Sequence, residues 1–305
     1  MCCLFGMLDS QNKLTVKQKN HIIRALSLSA EERGMDAVGI SYNSGQRLRV
    51  IKYPGPARKH RFLIPANATV VMGHTRLATQ GNAKYNRNNH PFLGKTKSCQ
   101  FALAHNGVIW NDEIIKYKLK LPKTKIETDS YVAVQIIESK QALNFQSLQY
   151  MAEELEGSFT FTILDEYNSL YIVKADSPFC LIYYSDIGLY LYASTSEILM
   201  NALTQINFIP KIYQKISVDY GDILQIDKTG TISRSNFNPD KIIVSSTLQW
   251  RDMLDSESNC RINSRIESLI IAAEMFGYNR EDIVYLLSNG YSFEELMDSF
   301  DIGEI

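Results

Sequence analysis

The chain reads as an α+β protein built from two antiparallel sheets with helices on their outer faces, followed by a small helical C-terminal extension. Three observations predict this. The first 230 or so residues alternate short β-like runs with stretches of helical spacing. From Gly157 the pattern becomes almost purely β, with turn dipeptides where hairpins need them. From about Asn236 the composition shifts to polar residues and then to short capped helices.

In chain order, "CCLFGML" is short, apolar and closed by the turn "DSQN", which predicts a buried strand. Thr15 with Gln18 forms a capping box ahead of a helix whose Ile22, Ile23, Leu26 and Ala30 recur on one face. "AVGISY", "RLRVIKY", "TVVMGHT" and "FALAHNG" supply four strands. Thr128 is expected to cap a helix carrying Val132, Ala133, Ile136 and Ile137. A further helix is expected over Phe145 to Leu155. "SFTFTILD", "LYIVKA", "FCLIYY" and "LYLYAS" then read as strands, with turns at Tyr167-Asn168 and Ile187-Gly188. "SEILMNAL" reads as a helix and "GDILQIDKTGTI" as a last hairpin. In the extension, "INSRIESLIIAAEMFGY" is helical, Asn279 caps "REDIVYLLS", and Ser292 with Glu295 makes a second capping box.

Composition excludes several classes of function. Lys plus Arg (32) nearly balance Asp plus Glu (33), so no global field recruits nucleic acid or an anionic membrane. The run containing Arg47, Arg49, Lys52, Arg58, Lys59, His60 and Arg61 reads as a solvated loop face. The five cysteines are odd in number and show no C-x-x-C spacing, so neither a disulfide framework nor a zinc site is indicated. No metal and no cofactor are expected. The N-terminal apolar stretch lacks a basic flank and stops at Asp9, unlike a secretory signal, and no apolar run reaches the ~18 residues of a membrane span. A reducing, cytoplasmic location is the expectation.

Cys2 follows the initiator methionine. Removal of Met1 would place a thiol and a free amine on one residue, so the nucleophile could carry its own general base. Taken alone, Cys2 reads as a small buried hydrophobe. Its company points elsewhere. "ERGMDAVGI", "GHTRLATQGN", "AHNGVIWN" and "ETDSY" occur in the order and approximate spacing of class II glutamine amidotransferases, members of the N-terminal nucleophile (Ntn) hydrolase superfamily, which the chain resembles over about residues 2–230. "CCLFG" resembles that family's opening, and "GSFTFTILDEYNSLYIVKADSPFCLIYY" with "YASTSEIL" resembles its second half.

The resemblance implies a four-layer αββα sandwich and release of ammonia from the glutamine side-chain amide. It assigns the nucleophile to Cys2, the oxyanion donors to the Asn106 amide and the Gly107 backbone, and the substrate carboxylate to Arg76 and Thr79. Asp129 would meet the substrate ammonium, and Arg33 would support the nucleophile's end of the strand. Blander readings stand beside these: a hairpin turn for Asn106-Gly107, a surface ion pair for Arg76, a loop cap for Thr79, a first-turn acid for Asp129 and an ordinary salt bridge for Arg33. His74 and His105 are expected to pack and hydrogen-bond rather than catalyse.

The chain departs from the family where Cys3 replaces a glycine, and where "RLATQG" has Leu77 and Gln80 in place of a tryptophan-containing, histidine-containing loop of hexosamine-forming members. The expected domains are a glutaminase domain over 2–235 and a helical extension over 236–305. The extension shows no Gly-rich phosphate loop and no cysteine cluster. The expected partners are therefore L-glutamine and a separate synthase or acceptor enzyme, with no nucleic acid and no membrane; a homo-oligomer is compatible with the sequence. Two other functions remain open. One is an Ntn amidohydrolase with a different amide substrate. The other is a catalytically silent regulatory or scaffold subunit that keeps Met1.

Overall fold

The structure is a computed structural model that describes residues 2–45, 47–239 and Leu286. Two compact units divide the chain, Met1–Pro239 and Asp240–Ile305. The helices expected in the extension, and Cys260, lie outside the described residues.

Strand β1 (Cys3–Asp9) is fully buried, as its apolar run demands. Asp9 then organises the exit, accepting the backbone N–H groups of Lys13 and Leu14, both at 3.0 Å. Helix α1 (Val16–Ala30) starts at the expected capping box, in which Thr15 Oγ1 and Gln18 each accept the other's backbone N–H. Its buried Lys19 donates to Asn12 and to the carbonyls of Ala66 and Ala68, and lies 3.7 Å from Asp9. The cation therefore replaces its water shell with fixed oxygens, as burial of a charge requires.

Strands β2 (Ala37–Ser44), β3 (Arg47–Pro54), β4 (Val70–Arg76), β5 (Phe92–Lys95) and β6 (Gln100–Ile109) follow. Next come helices α2 (Asp112–Lys118), α3 (Tyr131–Ser139) and α4 (Phe145–Glu154). Strands β7 (Gly157–Asp165), β8 (Leu170–Lys174), β9 (Cys180–Tyr184) and β10 (Leu189–Ala193) lead to helix α5 (Ser196–Thr204), and β11 (Gln214–Ile216), β12 (Asp222–Ile226) and β13 (Ile232–Asn236) close the unit. The turns at Asn168 and Gly188 adopt positive φ (66° and 64°), the geometry those dipeptides favour.

Two sheets result, in the orders β11-β9-β10-β1-β4-β2-β3 and β13-β12-β8-β7-β6-β5, with antiparallel pairing throughout. Side-chain alternation sorts the residues into layers. Cys3, Phe5 and Met7 pack with Ile22, Leu26, Ile198 and Leu199, joining the first sheet to α1 and α5. Leu4, Leu8, Val70 and Met72 pack instead with Ala102, Ala104, Leu164 and Ile172, joining the two sheets. Helices α3 and α4 bury Val132, Ile136, Leu148 and Met151, with α3 beside β5 and α4 beside β12. This is the expected sandwich, α+β with helices outside two antiparallel sheets.

The sequence reading missed the short elements β5, β11 and α2. It also misplaced one cap. Thr128 does not cap α3; the cap position is Ser130, and Thr128 Oγ1 is buried without a partner. The main chain turns at Asp129 and Ser130 before the helix begins, and it is the Thr128 carbonyl, not its hydroxyl, that accepts the Tyr131 N–H.

Candidate active site

The ends of β1, β4 and β6 bring the predicted side chains together. Cys3 pairs with Thr75 across β1 and β4, which sets Cys2 beside Arg76. Because Leu4 and Met72 face the second sheet, alternation puts Cys2, His74 and Arg76 on that same inner face. Asn106 follows Ala102 and Ala104 on the opposing face of β6. Cysteine 3 points the other way, into the helix-side core.

The Cys2 thiol donates toward the Leu77 carbonyl, with Sγ 3.5 Å from the oxygen. Arg33 Nε donates to the Cys2 carbonyl at 2.9 Å, holding this end of the chain. Burial raises the thiol pKa and Asp129 raises it further, whereas the Leu77 contact and the Arg76 guanidinium oppose the shift. The thiol is thus protonated at neutral pH and needs a base before it attacks.

Arg76 is buried, and its partners are neutral oxygens. Nη1 donates to Asn89 Oδ1 at 2.8 Å, and Nη2 donates to the Gly81 carbonyl at 3.0 Å and to the Gln80 carbonyl. Burial lowers its pKa, while Asp129 and Asp36 favour its charged form. Among the described residues no carboxylate forms an ion pair with this guanidinium, whose planar fork has the shape to take one. Nearby, Lys52 donates to the Asn89 carbonyl at 2.7 Å, and burial with repulsion from Arg76 lowers its pKa to about 8. Asn89 therefore bridges two cations.

Asn106 is buried, and its side-chain Nδ2 has no hydrogen-bond acceptor. Such a donor is costly unless a ligand oxygen completes it. Gly107 adopts φ +136°, and a Cβ there would sit 1.9 Å from the Ser158 carbonyl oxygen, so only glycine fits. Beyond them, Asp129 is buried, and its Oδ2 accepts from the Ile109 N–H at 2.7 Å. The Asp129 N–H donates to Gln80 Oε1 at 2.9 Å. Thr79 sits exposed on the 77–81 loop.

Three buried histidines flank this region. His74 and His90 lie 4.2 Å apart by ring centroid, and His90 lies 6.4 Å from His105. Burial depresses all three pKa values, His74 to about 3, so the rings are neutral. Among the described residues, no group of three His, Cys, Asp or Glu is placed to hold a metal ion.

Sequence reasoning missed Asp36, Asn89 and Gln80 as scaffolding. Asp36 Oδ2 accepts the Ala78 N–H at 2.8 Å and its own N–H donates to the Arg76 carbonyl, pinning the start of the 77–81 loop. Asp36 and Gln80 lie inside the quoted motifs, which was their one sequence signal, whereas Asn89 lies outside all of them.

A family model described as a glutamine amidotransferase domain matches residues 74–201. Glutamine–fructose-6-phosphate aminotransferase (isomerizing) from Listeria monocytogenes is 31% identical over 185 residues, covering 58% of this chain and 29% of that protein. The Bacillus anthracis protein of the same name is 32% identical over 186 residues, covering 58% and 30%. The chain thus spans about 30% of the length of these relatives. Among solved structures, glutamine phosphoribosylpyrophosphate amidotransferase from B. subtilis, complexed with ADP and GMP, aligns with TM-score 0.58 at 19% identity, covering 78% of this chain and 49% of that one. A structure described as the allosteric regulatory enzyme of purine biosynthesis aligns with TM-score 0.59 at 21% identity, with the same coverage. At such identities the two structures speak for the fold alone.

Proposed function

We propose that the chain carries a class II glutamine amidotransferase domain of the Ntn type and hydrolyses the side-chain amide of L-glutamine to glutamate and ammonia, with Cys2 as the nucleophile once Met1 is removed. One observation carries the reading. The register of β1 and β4 sets Cys2 beside the buried Arg76 guanidinium, and the buried Asp129 carboxylate is held by the Ile109 N–H of β6, the strand that also carries Asn106 and Gly107. Those two charges are the complement of an α-amino acid's carboxylate and ammonium.

In the proposed reaction the Cys2 α-amine accepts the thiol proton as Sγ attacks the amide carbon. The carbonyl oxygen gains negative charge, and the Asn106 side-chain amide and the Gly107 N–H donate to it. Collapse of the tetrahedral intermediate breaks the C–N bond, and the protonated amine supplies the leaving ammonia with its proton. Water then cleaves the thioester, releasing glutamate and restoring the thiol. Arg76, assisted by Thr79 when substrate is bound, holds the α-carboxylate, and Arg33 fixes the Cys2 carbonyl so that the amine stays beside its thiol.

Residues 236–305 contain no phosphate-binding loop and no cysteine cluster, so the site that accepts the ammonia is placed outside them, and a separate synthase is the acceptor proposed. Peptide mapping after treatment with a glutamine-like chloroketone tests the reading. Label on Cys2, suppressed by excess glutamine and accompanied by loss of Met1 from the intact mass, is the expected result. Retained Met1 would support a silent subunit. Labelling of Cys2 insensitive to glutamine would point to another amide substrate.

A further inference from the structure

The contacts behind Asp129 deepen the glutamine reading and rest on it. Ser130 occupies the cap position of α3, yet its hydroxyl makes no capping hydrogen bond. It donates instead to Asp129 Oδ1 at 3.2 Å and meets His105 Nδ1 at 2.8 Å. A serine hydroxyl has a single proton. With that proton directed at Asp129, the His105 contact requires Nδ1–H as donor. His105 Nε2 is then the bare nitrogen, and it is the ring atom without a partner. An unfilled lone pair is tolerated in a buried site more readily than an orphaned N–H.

The relay therefore runs His105 Nδ1–H to Ser130 Oγ–H to Asp129 Oδ1. All three residues are buried, and the Ile109 N–H fixes the other carboxylate oxygen at 2.7 Å. With one hydrogen bond on each oxygen, the carboxylate plane is set, while a lone pair on each remains for a ligand. A rotating carboxylate would meet an ammonium in many geometries, most of them poor.

We propose that Ser130, oriented by His105, is a positioning residue that aims the Asp129 carboxylate at the substrate ammonium and thereby sets the preference for an α-amino acid over the same amide without its amine.

The test compares ammonia release from L-glutamine and from glutaramate, which is glutamine lacking the α-ammonium. The wild-type protein should prefer glutamine. In Ser130→Ala the ratio of the two kcat/KM values should narrow roughly tenfold, chiefly through a higher KM for glutamine, the scale of one hydrogen bond to a charged group. Ser130→Thr, which keeps the hydroxyl, should restore most of the ratio. Ser130→Ala leaves the His105 Nδ1–H without an acceptor and should melt below wild type, but a uniform loss of folded protein leaves the ratio between the two substrates unchanged, so the ratio is the readout. Equal losses on both substrates, an unchanged ratio, or a wild type indifferent to the ammonium would overturn the proposal. A wild-type protein that releases no ammonia from glutamine would instead remove the glutamine reading beneath it.

Discussion

Replacing Asn106 with alanine separates a functional amide from a structural one. The wild-type side chain is buried with its Nδ2 donor unmatched. A buried donor left unsatisfied costs about 1–3 kcal/mol, and the substitution removes that cost. It also deletes three heavy atoms, and a void of roughly 40 Å³ costs about 1 kcal/mol at ~24 cal/mol per Å³. The two effects oppose, so the variant should lie between unchanged and about 2 kcal/mol more stable. Catalysis should respond very differently, because loss of one oxyanion donor lowers kcat by about 10²–10³. Urea unfolding at pH 7 and steady-state ammonia release measure the two quantities on the same preparation. A stability loss above ~2 kcal/mol with kcat within tenfold of wild type would show that Asn106 is a packing residue.

Three other outcomes follow from the geometry. Gly107→Ala should destabilise the protein by more than ~3 kcal/mol, because it combines a disfavoured φ with a clash against the β7 backbone; a loss under ~1 kcal/mol in urea unfolding would contradict the crowding. Arg76→Lys should raise the KM for glutamine about tenfold or more and leave kcat within about threefold, since a point charge replaces a fork far from the reacting carbonyl. A dominant kcat effect would mean that Arg76 acts at the amide instead. Acid should weaken the fold before most carboxylates titrate. His74, held near 3 in the folded state against ~6.5 unfolded, is neutral when folded, so the unfolded chain binds the extra proton as pH falls below ~6.5. Lowering pH from 7.0 to 5.5 should cost about 1.3 kcal/mol through His74 alone, with His90 and His105 adding in the same direction. Stability that is flat or rising over that range, by denaturant midpoint, would refute the neutral cluster.

Long strands and strongly capped helices were legible because their signals are local. The Thr15 and Gln18 box needs only three residues of spacing, and β1 needs only alternation between Cys3, Phe5 and Met7 on one face and Leu4 and Leu8 on the other. Short edge elements were not. Strand β11 spans three residues, with Gln214 and Lys215 exposed, and β5 alternates over only four, so neither accumulates a periodic signal. Thr128 illustrates a second limit: composition places a cap within two residues, and the backbone path decides which residue takes it.

At the site, the residues with recognisable chemistry within motifs could be named from sequence: Cys2, Arg76, Asn106, Gly107 and Asp129. The structure brings the first two side by side and sets Asn106 on the facing sheet. What sequence could not show is the support around them. Asn89 reaches Arg76 across 13 positions, Gln80 reaches Asp129 across 49, and His105 reaches Ser130 across 25, each through one polar atom with no periodicity to betray it.

The central claim is that Cys2 carries glutamine hydrolysis, and ammonia release by the purified protein tests it most directly. L-glutamine is the substrate and L-asparagine the control, with Cys2→Ala and Cys3→Ala compared at matched melting temperatures. Glutamine-dependent release that vanishes in Cys2→Ala and persists in Cys3→Ala, whose side chain lies in the helix-side core, is the predicted result. Release that survives in Cys2→Ala, or falls equally in both variants, would contradict the account.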